Sequence, residues 1–352
     1  MRRIVALDFY RFVAAFGVVV LHLTEFGGYD RGSGFGYWTS DFSLLVDFFF
    51  ILSGFVIAAN YSNSIGTASE ILIFLRKRLA RIYPLYLATT LFFLGIFAIG
   101  KSSHPENYAT SSIVAQLFLV QQWQINPPLP FNFPAWSISA EWAMYLLFPL
   151  LVWISHGKGR SILILIAMSA GIVIFVLVHI GTMHQPIWNA LRALPTFTMG
   201  VLLYEIFPGE RIQRGAVLGL LAFSFSIASL LLHLNFLVTI AMFCLTIFLT
   251  ARDPHPSPLF RCAVLKVLGD ASYSVYLLHA VVFSIVYKGI APRLFLGQPP
   301  LYVGLVTCAL IIPISVVSFY CFEAPARKFL SGSSEWIKSV GSTKTLSADE
   351  MS

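Results

Sequence analysis

The sequence predicts an all-α, polytopic transmembrane helical bundle of about ten spans, with both termini in the cytoplasm. Of the 352 residues, 57% are hydrophobic and only 11% are charged, whereas about 25% of the residues of an ordinary soluble domain are charged. Apolar runs long enough to cross a bilayer recur along the whole chain. Their approximate limits are 4–23, 43–60, 82–100, 136–155, 161–180, 187–207, 215–232, 236–250, 272–290 and 301–322.

The distribution of basic residues predicts the orientation of this bundle. Cytoplasmic loops of membrane proteins are enriched in Lys and Arg, and a cytoplasmic N-terminus leaves only four of the 23 basic residues outside, namely Arg31, Lys101, Lys288 and Arg293. The net charge of +7 therefore reflects topology. It does not indicate a nucleic-acid partner, which would require a basic face on a soluble module. The polar, Ser-rich segment 331–352 is expected to be a disordered cytoplasmic tail.

The first apolar run contains charged residues that a passive anchor would avoid. Asp8, Arg11 and His22 all lie within it, and an ionisable residue inside a membrane span marks a functional site or pathway by default. Arg11 and His22 are close to three helical turns apart, so both project from one stripe of the helix, roughly 16 Å from each other. Asp8 precedes Arg11 by one turn and can pair with it. This run is predicted to form one wall of a site.

Two interpretations apply to each of the next polar features. Asp47, near the outer end of the second run, either caps the helix N-terminus or partners a cation in the site. The segment 74–86, FLRKRLARIYPLY, is expected to be a loop because Pro84 limits where the next helix can begin. Its residues Arg78 and Arg81 either anchor the inner side of the protein or form a fork for phosphates, such as those of a nucleotide-bearing acyl donor.

The fourth run predicts a polar cavity inside the bundle. Ser137, Glu141 and Tyr145 are spaced four apart, which places a hydroxyl, a carboxylate and a phenol on one helical face. The alternative is that Glu141 merely lies near the outer interface, although Glu is rare in membrane spans.

The C-terminal part contributes fewer polar candidates. His279, in the ninth run, is interpreted either as a packing histidine or as a member of the site. Glu323 and Arg327 are four apart with Pro325 between them, which favours a local cap or ion pair. The four cysteines have no paired spacing, so neither a disulfide framework nor a metal site is predicted.

With these residues in hand, the chain resembles the acyltransferase 3 family of bacterial integral membrane acyltransferases. The resemblance spans almost the whole chain and follows the family's order of motifs. One position departs from the family, because Trp142 occupies the place of a second acidic residue after Glu141. The chain resembles the stand-alone members, without an attached extracellular domain. The matching stretches are LDFYRFVAAFGVVVLH, VDFFFILSGFVI, FLRKRLARIYPLY, WSISAEWAMYLLFP, SYSVYLLH and FEAPARK.

The resemblance implies that residues 1–330 form an integral membrane acyltransferase domain in the bacterial cytoplasmic (inner) membrane. Such a domain would take an acyl group, often acetyl, from acyl-CoA on the cytoplasmic side. It would place that group on a hydroxyl of a glycan or another secreted metabolite, with the lipid bilayer as its surroundings and without a metal. Carried over by position, the resemblance implies that His22 and Arg11 are the catalytic pair and that Arg78 and Arg81 bind the donor. The opposite face of the site would consist of Ser137, Glu141 and Tyr145.

Transfer from a thioester to an alcohol needs a base for the hydroxyl and support for the oxyanion. His22 suits the role of base or, alternatively, of a nucleophile that carries the acyl group. Glu141 would orient the imidazole as a third triad member does, and Arg11 would guide the donor or hold the cavity together with Asp8. A proton-coupled transporter or exporter and an accessory subunit of a polysaccharide assembly machine are the competing classes. The basic fork and the lack of a visible inverted repeat favour the enzyme.

Overall fold

The computed structural model describes residues 4–30, 32, 34–100, 108–123, 131–155, 171, 191–206, 211–254 and 258–332. Helices dominate this part of the chain, and no β-strand occurs in it. The predicted fifth span, 161–180, lies outside the described residues except for Gly171, as does the tail after residue 332. The helices are α1 (Val5–Gly27), α2 (Gly34–Thr39), α3 (Leu45–Tyr61), α4 (Ala68–Ala98), α5 (Thr110–Leu117), α6 (Trp136–Ser155), α7 (Ala193–Ile206), α8 (Gly215–Leu231), α9 (Phe236–Ala251), α10 (Ala263–Phe283), α11 (Ala291–Leu294), α12 (Leu301–Ser318) and α13 (Ala324–Ser331).

Several of these helices are long and apolar enough to cross a membrane. Within the described residues there are 6 such helical segments, and they join consecutive helices where a 3-10 or π turn continues the axis. Three shorter apolar helices, α7, α8 and α9, accompany them. The chain is therefore a multi-pass, all-helical membrane protein. The six segments are Val5–Gly27, Gly34–Ser64, Ala68–Ala98, Phe133–Ser155, Ala263–Leu294 and Leu301–Ser331.

Glycines allow α3 and α7 to pack backbone against backbone. A Cβ added at Gly54 of α3 would collide with the carbonyl oxygen of Phe197, and one added at Gly200 of α7 would collide with the carbonyl oxygen of Ile51. Small residues at such crossings are how membrane helices approach closely, because lipid supplies no hydrophobic drive for helix association. This contact holds α3, which carries part of the polar site described below, against the bundle.

Gly200→Ala is expected to lower the stability of the protein by about 1–3 kcal/mol, since the extra methyl group must push two backbones apart. The measurement is the thermal unfolding midpoint in detergent, followed by tryptophan fluorescence. Gly95→Ala is the matched control, because a Cβ at this position in the last turn of α4 meets nothing within 4 Å. The alanine should leave the midpoint there unchanged or raise it. Equal midpoints for the two variants would contradict the close packing of α3 and α7.

The N-terminal helix α1 packs along α10, and α10 packs in turn against α12. Gly269 of α10 makes the first contact possible, because a Cβ there would lie 2.6 Å from the Cβ of Asp8 and 3.0 Å from its carbonyl carbon. The close approach brings the backbone carbonyl of Gly269 within reach of the next turn of α1. It therefore positions the first charged side chains of the site.

The prediction of a loop at residues 74–86 is wrong, because α4 is a continuous helix through this segment. The helix begins earlier, at a capping box in which Thr67 Oγ1 accepts a hydrogen bond from the Glu70 N–H (3.3 Å) and Glu70 Oε2 accepts one from the Thr67 N–H (2.9 Å). Pro84 lies inside the helix, as neighbouring groups in membrane bundles permit. The basic residues are thus on a rigid helix. The ninth span likewise begins earlier than predicted, at Ala263.

Candidate active site

A cavity of about 140 Å³ lies between α1, α3, α4, α6 and α10. This space is enough for several water molecules. Apolar side chains form part of its wall, but polar groups from all five helices converge on it, as the fourth apolar run predicts. The polar and charged lining residues are Arg11, Ser53, Arg78, Arg81, Ser137, Glu141, Tyr145, Ser272, Tyr273 and Tyr276.

The contacts that hold Arg11 at the cavity wall include an ion pair and two hydrogen bonds within the described residues. Its Nη2 lies 3.2 Å from Oδ1 of Asp8, as the spacing of the two residues predicts. The same nitrogen donates to the carbonyl oxygen of Gly269 at 2.8 Å, and Nε donates to Oγ of Ser272 at 2.8 Å. Because two of these partners belong to α10, the packing of α1 on α10 sets the position of the guanidinium. Arg11 therefore places a pre-oriented positive charge at the cavity wall.

The predicted face of α6 does line the cavity. Oε1 of Glu141 accepts hydrogen bonds from Oγ of Ser53 at 2.8 Å and from the Tyr145 hydroxyl at 2.5 Å. Ser137, two turns away along α6 from Tyr145, has its hydroxyl 2.7 Å from that of Tyr276. The carboxylate of Glu141 is thus oriented by two hydroxyl donors. The alternative of a Glu141 at the outer interface does not match this cavity position.

The two arginines of α4 both line the cavity but differ in their partners. Arg81 Nη1 lies 3.1 Å from Oε1 of the fully buried Glu323, whose Oε2 accepts from Oγ of Ser274 at 2.9 Å. Arg78 donates to the hydroxyl of Tyr61 at 3.2 Å and lies over the ring of that tyrosine. Within the described residues, no carboxylate is within ion-pair distance of Arg78. Its positive charge is therefore balanced less fully than that of Arg81.

The ion pair of Glu323 also corrects an expectation from the sequence. A local cap or a pair with Arg327 was predicted, but no side chain caps α13, and the charged partner of Glu323 is Arg81. Glu323 lies at the end of the π turn Phe319–Glu323, which changes the direction of the side chain relative to an ideal α-helix. The carboxylate therefore points toward α4 and α10 and not along its own helix.

Asp47 pairs with a cation, as one of its two interpretations predicts, and it lies in the first turn of α3. Its Oδ2 lies 2.9 Å from Nη2 of Arg192, while the N-cap of α3 makes no side-chain hydrogen bond. Arg192 also donates to the carbonyl oxygen of Ser43 at 2.8 Å and lies over the ring of Trp136. Neither Asp47 nor Arg192 lines the cavity. The pair neutralises two charges that would be costly to bury separately.

His22 does not join the cavity; it joins His279. Nδ1 of His22 lies 2.8 Å from Nε2 of His279, with the two rings nearly parallel at 7°. Both imidazoles are buried, and Phe133 packs edge-on against His22 at 4.4 Å between ring centroids. His279 is therefore a direct partner of His22, beyond the packing role that was one of its two interpretations.

Tyr276 connects the histidine pair with the cavity. Its side chain lines the cavity, while its ring centroid is 6.1 Å from that of His279. The hydroxyl is held in place by Ser137 and donates to the carbonyl oxygen of Pro134 at 3.1 Å. Tyr276 thus stands between the charged cavity and the two imidazoles. One stripe of α1 therefore contributes Arg11 to the cavity and His22 to the histidine pair.

The cavity and the histidine pair fall within the region matched by a family model described as an acyltransferase domain, residues 4–320. The chain belongs to the acyltransferase 3 family. The family resemblance seen in the motifs is thereby confirmed. This acyltransferase is 28% identical over 313 residues to the acyltransferase MdmB of Streptomyces mycarofaciens, covering 80% of this chain and 79% of that relative.

A second relative is longer than this acyltransferase. The O-acetyltransferase OatA of Staphylococcus aureus (strain NCTC 8325 / PS 47) is 27% identical over 363 residues, which covers 93% of this chain but 58% of OatA. The chain therefore spans little more than half the length of that relative. No solved structure matches the acyltransferase.

Sequence reasoning missed several residues that line the cavity or that pair with a predicted candidate residue. Arg192 could have been found, because it is an arginine within the apolar run 187–207. An ionisable residue in a membrane span indicates a functional or paired position, as it does for Arg11. Tyr276 was also detectable, because it precedes His279 by three residues and shares its helical face. Ser53 and Ser272 carried no such signal, because single serines are common in membrane helices and only the packing brings them to Glu141 and Arg11.

Proposed function

We propose that this acyltransferase is a membrane-embedded O-acyltransferase that moves an acetyl group from acetyl-CoA to a hydroxyl of a cell-surface or secreted glycan. The single observation that carries the proposal is the arrangement of a basic cavity and a buried imidazole pair on the two sides of Tyr276. The cavity offers cations for a phosphate-bearing donor, and the imidazoles offer a base for a hydroxyl. The names of MdmB and OatA, an acyltransferase and an O-acetyltransferase, agree with this chemistry.

The orientation that fits this function has ten spans, both termini in the cytoplasm and the protein in the bacterial inner membrane. In that orientation the N-terminal half of α4, with its cluster of basic residues, lies at the cytoplasmic side. Acetyl-CoA would then approach the cavity from the compartment in which it is made. His22, at the opposite end of α1, lies toward the outer side, where a secreted glycan would be met.

Donor binding falls to Arg78 and Arg81 in this proposal. Arginine recognises phosphate through parallel N–H donors, which Lys cannot reproduce. Glu323 holds the Arg81 guanidinium at 3.1 Å, so Arg78 is the cation with more charge available to a phosphate. The pantetheine arm would extend through the cavity past Arg11 and Glu141 toward Tyr276.

Acyl transfer takes place at the histidine pair. His22 removes the proton of the acceptor hydroxyl as the oxygen attacks the thioester carbonyl. The tetrahedral intermediate then collapses, the C–S bond breaks, and the CoA thiolate takes up the proton. Because Tyr276 separates the cavity from His279, its ring must move aside for the thioester. Glu141 bonds to Ser53 and Tyr145, so it supports the donor cavity, while the ring partner of His22 is His279.

The test uses membranes of the source bacterium with the gene deleted or restored. Inside-out vesicles expose the cytoplasmic face, and acetyl-CoA labelled in the acetyl group does not cross the bilayer. We expect label to enter the glycan or lipid-linked fraction as a base-labile ester only in vesicles that contain the protein. Right-side-out vesicles should remain unlabelled.

A transporter would give a different result. With a transporter, the amount of acetyl label in the glycan fraction would be the same with and without the gene. Uptake or export of an acetylated product would instead require the gene. Label that enters equally with and without the gene would overturn the enzymatic proposal. Transfer that occurs only with a longer acyl-CoA would keep the enzyme and correct the acyl group.

A further inference from the structure

The contact between the buried rings of His22 and His279 restricts which ring nitrogens carry a proton. Nδ1 of His22 and Nε2 of His279 are 2.8 Å apart, a hydrogen-bond distance that requires one nitrogen to donate and the other to accept. The second nitrogen of His279, Nδ1, lies 3.3 Å from the carbonyl oxygen of Val275 on the preceding turn of α10. A carbonyl oxygen accepts and cannot donate. This backbone contact decides the direction of the whole chain of bonds.

Each proton position follows from the previous one. Nδ1 of His279 must carry a hydrogen to bond the Val275 carbonyl, so in the neutral ring Nε2 of His279 bears the lone pair. That lone pair can only accept, and Nδ1 of His22 must then be the donor. In neutral His22, the lone pair consequently lies on Nε2. The backbone carbonyl of Val275 thereby selects the tautomer of His22 through His279, which lies between them.

We propose that His279 is a positioning residue that holds His22 in the Nδ1–H tautomer and makes Nε2 of His22 the nitrogen that takes the acceptor proton. The proposal rests on the proposed acyl transfer at His22. It gives His279 the place that a carboxylate has in a hydrolase triad, where the third member fixes the tautomer and stabilises the imidazolium. Here a neutral imidazole does this without adding a buried negative charge.

The surroundings of the pair suit this role. Phe133 contacts both rings edge-on, and Phe283 contacts His279 edge-on. His279 is fully buried, so bulk water does not compete for its nitrogens. When His22 takes up the hydroxyl proton at Nε2, its Nδ1–H bond to His279 becomes charge-assisted and stronger. The proton later leaves with the CoA thiolate, and both rings return to their starting tautomers.

Two substitutions at the same position separate positioning from packing. Gln places an amide oxygen near the position of the imidazole Nε2 and can accept the His22 Nδ1–H bond. Leu fills similar space with no acceptor. We expect His279→Leu to lower kcat by about 10²–10⁴-fold, by analogy with loss of tautomer control in a triad, with the KM for acetyl-CoA unchanged. His279→Gln should be at least tenfold more active than the Leu variant.

The tautomer itself is measured by ¹⁵N NMR of histidine-labelled protein, with the His22 signals assigned by their loss in His22→Ala. Wild type and His279→Gln should give a protonated Nδ1 and an unprotonated Nε2 for His22, and His279→Leu should give a mixture. A protonated Nε2 in the neutral wild-type ring, or a Gln variant that is folded but as inactive as Leu, would overturn the inference. Retained transfer in His22→Ala would instead overturn the role of His22 in the proposed function, whatever the tautomer.

Discussion

His22→Ala is expected to lower the rate of acetyl transfer by about 10²–10⁴-fold, the usual contribution of a general acid–base residue. The reason is that the buried imidazole pair lies beyond Tyr276 from the cavity, where an imidazole can take the proton of the acceptor hydroxyl. The KM for acetyl-CoA should change little, since His22 does not line the cavity in which we propose that the donor binds. The measurement is initial-rate transfer of labelled acetyl in inside-out vesicles at matched protein levels.

A histidine outside the site provides the control for this experiment. Nδ1 of His233 lies 3.0 Å from Oδ2 of Asp41, away from the cavity and the imidazole pair. His233→Ala is expected to retain transfer within about twofold, as substitutions away from a site usually do. Equal rates for His22→Ala and wild type would remove His22 from the mechanism.

The same membranes distinguish general-base catalysis by His22 from the alternative in which His22 carries the acyl group. If His22 carries the acyl group, a rapid quench without acceptor should capture labelled acetyl on the protein, and His22→Ala should abolish that label. If His22 acts as a general base, the protein should remain unlabelled while transfer to acceptor proceeds. We expect no covalent label, because His22 acts as the base in the proposed transfer, and a label that disappears in His22→Ala would replace this role by that of a nucleophile.

Arg78→Ala is expected to raise the KM for acetyl-CoA by about 10- to 100-fold, which corresponds to losing a charged hydrogen bond of about 1.5–3 kcal/mol. Arg78 is the better target of the two arginines in the cavity. Its protein partner is the neutral Tyr61, whereas Arg81→Ala would also leave the buried Glu323 without its cation and destabilise the fold. The kcat at saturating donor should fall much less than kcat/KM, since the lost contact serves binding.

Lys77→Ala is the matched control, because Lys77 is the exposed neighbour of Arg78 on α4 and does not line the cavity. It removes the same charge from the same segment. A general electrostatic effect of the basic cluster on donor binding would weaken both variants alike. Equal KM values for Arg78→Ala and Lys77→Ala would therefore contradict a specific phosphate contact at Arg78.

Periodicity alone predicted much of the polar cavity. The four-residue spacing of Ser137, Glu141 and Tyr145 fixes their common face on a helix, and the structure places that face on the cavity. The pairing of Asp8 with Arg11 is equally local and equally predictable. The error at residues 74–86 has a local cause as well. Pro84, as a helix breaker, predicts a late start of the helix, whereas the capping box of Thr67 and Glu70 starts it well before Pro84.

The membrane class, the family and the helical faces that carry polar residues can be predicted from the amino-acid sequence, because these depend on composition, motifs and the period of one helix. The partners of those polar residues depend on how the helices pack against one another. Asp47 meets Arg192, Arg81 meets Glu323 and His22 meets His279 across long stretches of chain. The period of a helix fixes the direction of a side chain but not the neighbouring helix. That neighbour depends on close backbone contacts such as Gly269 against Asp8, which no single-helix pattern contains.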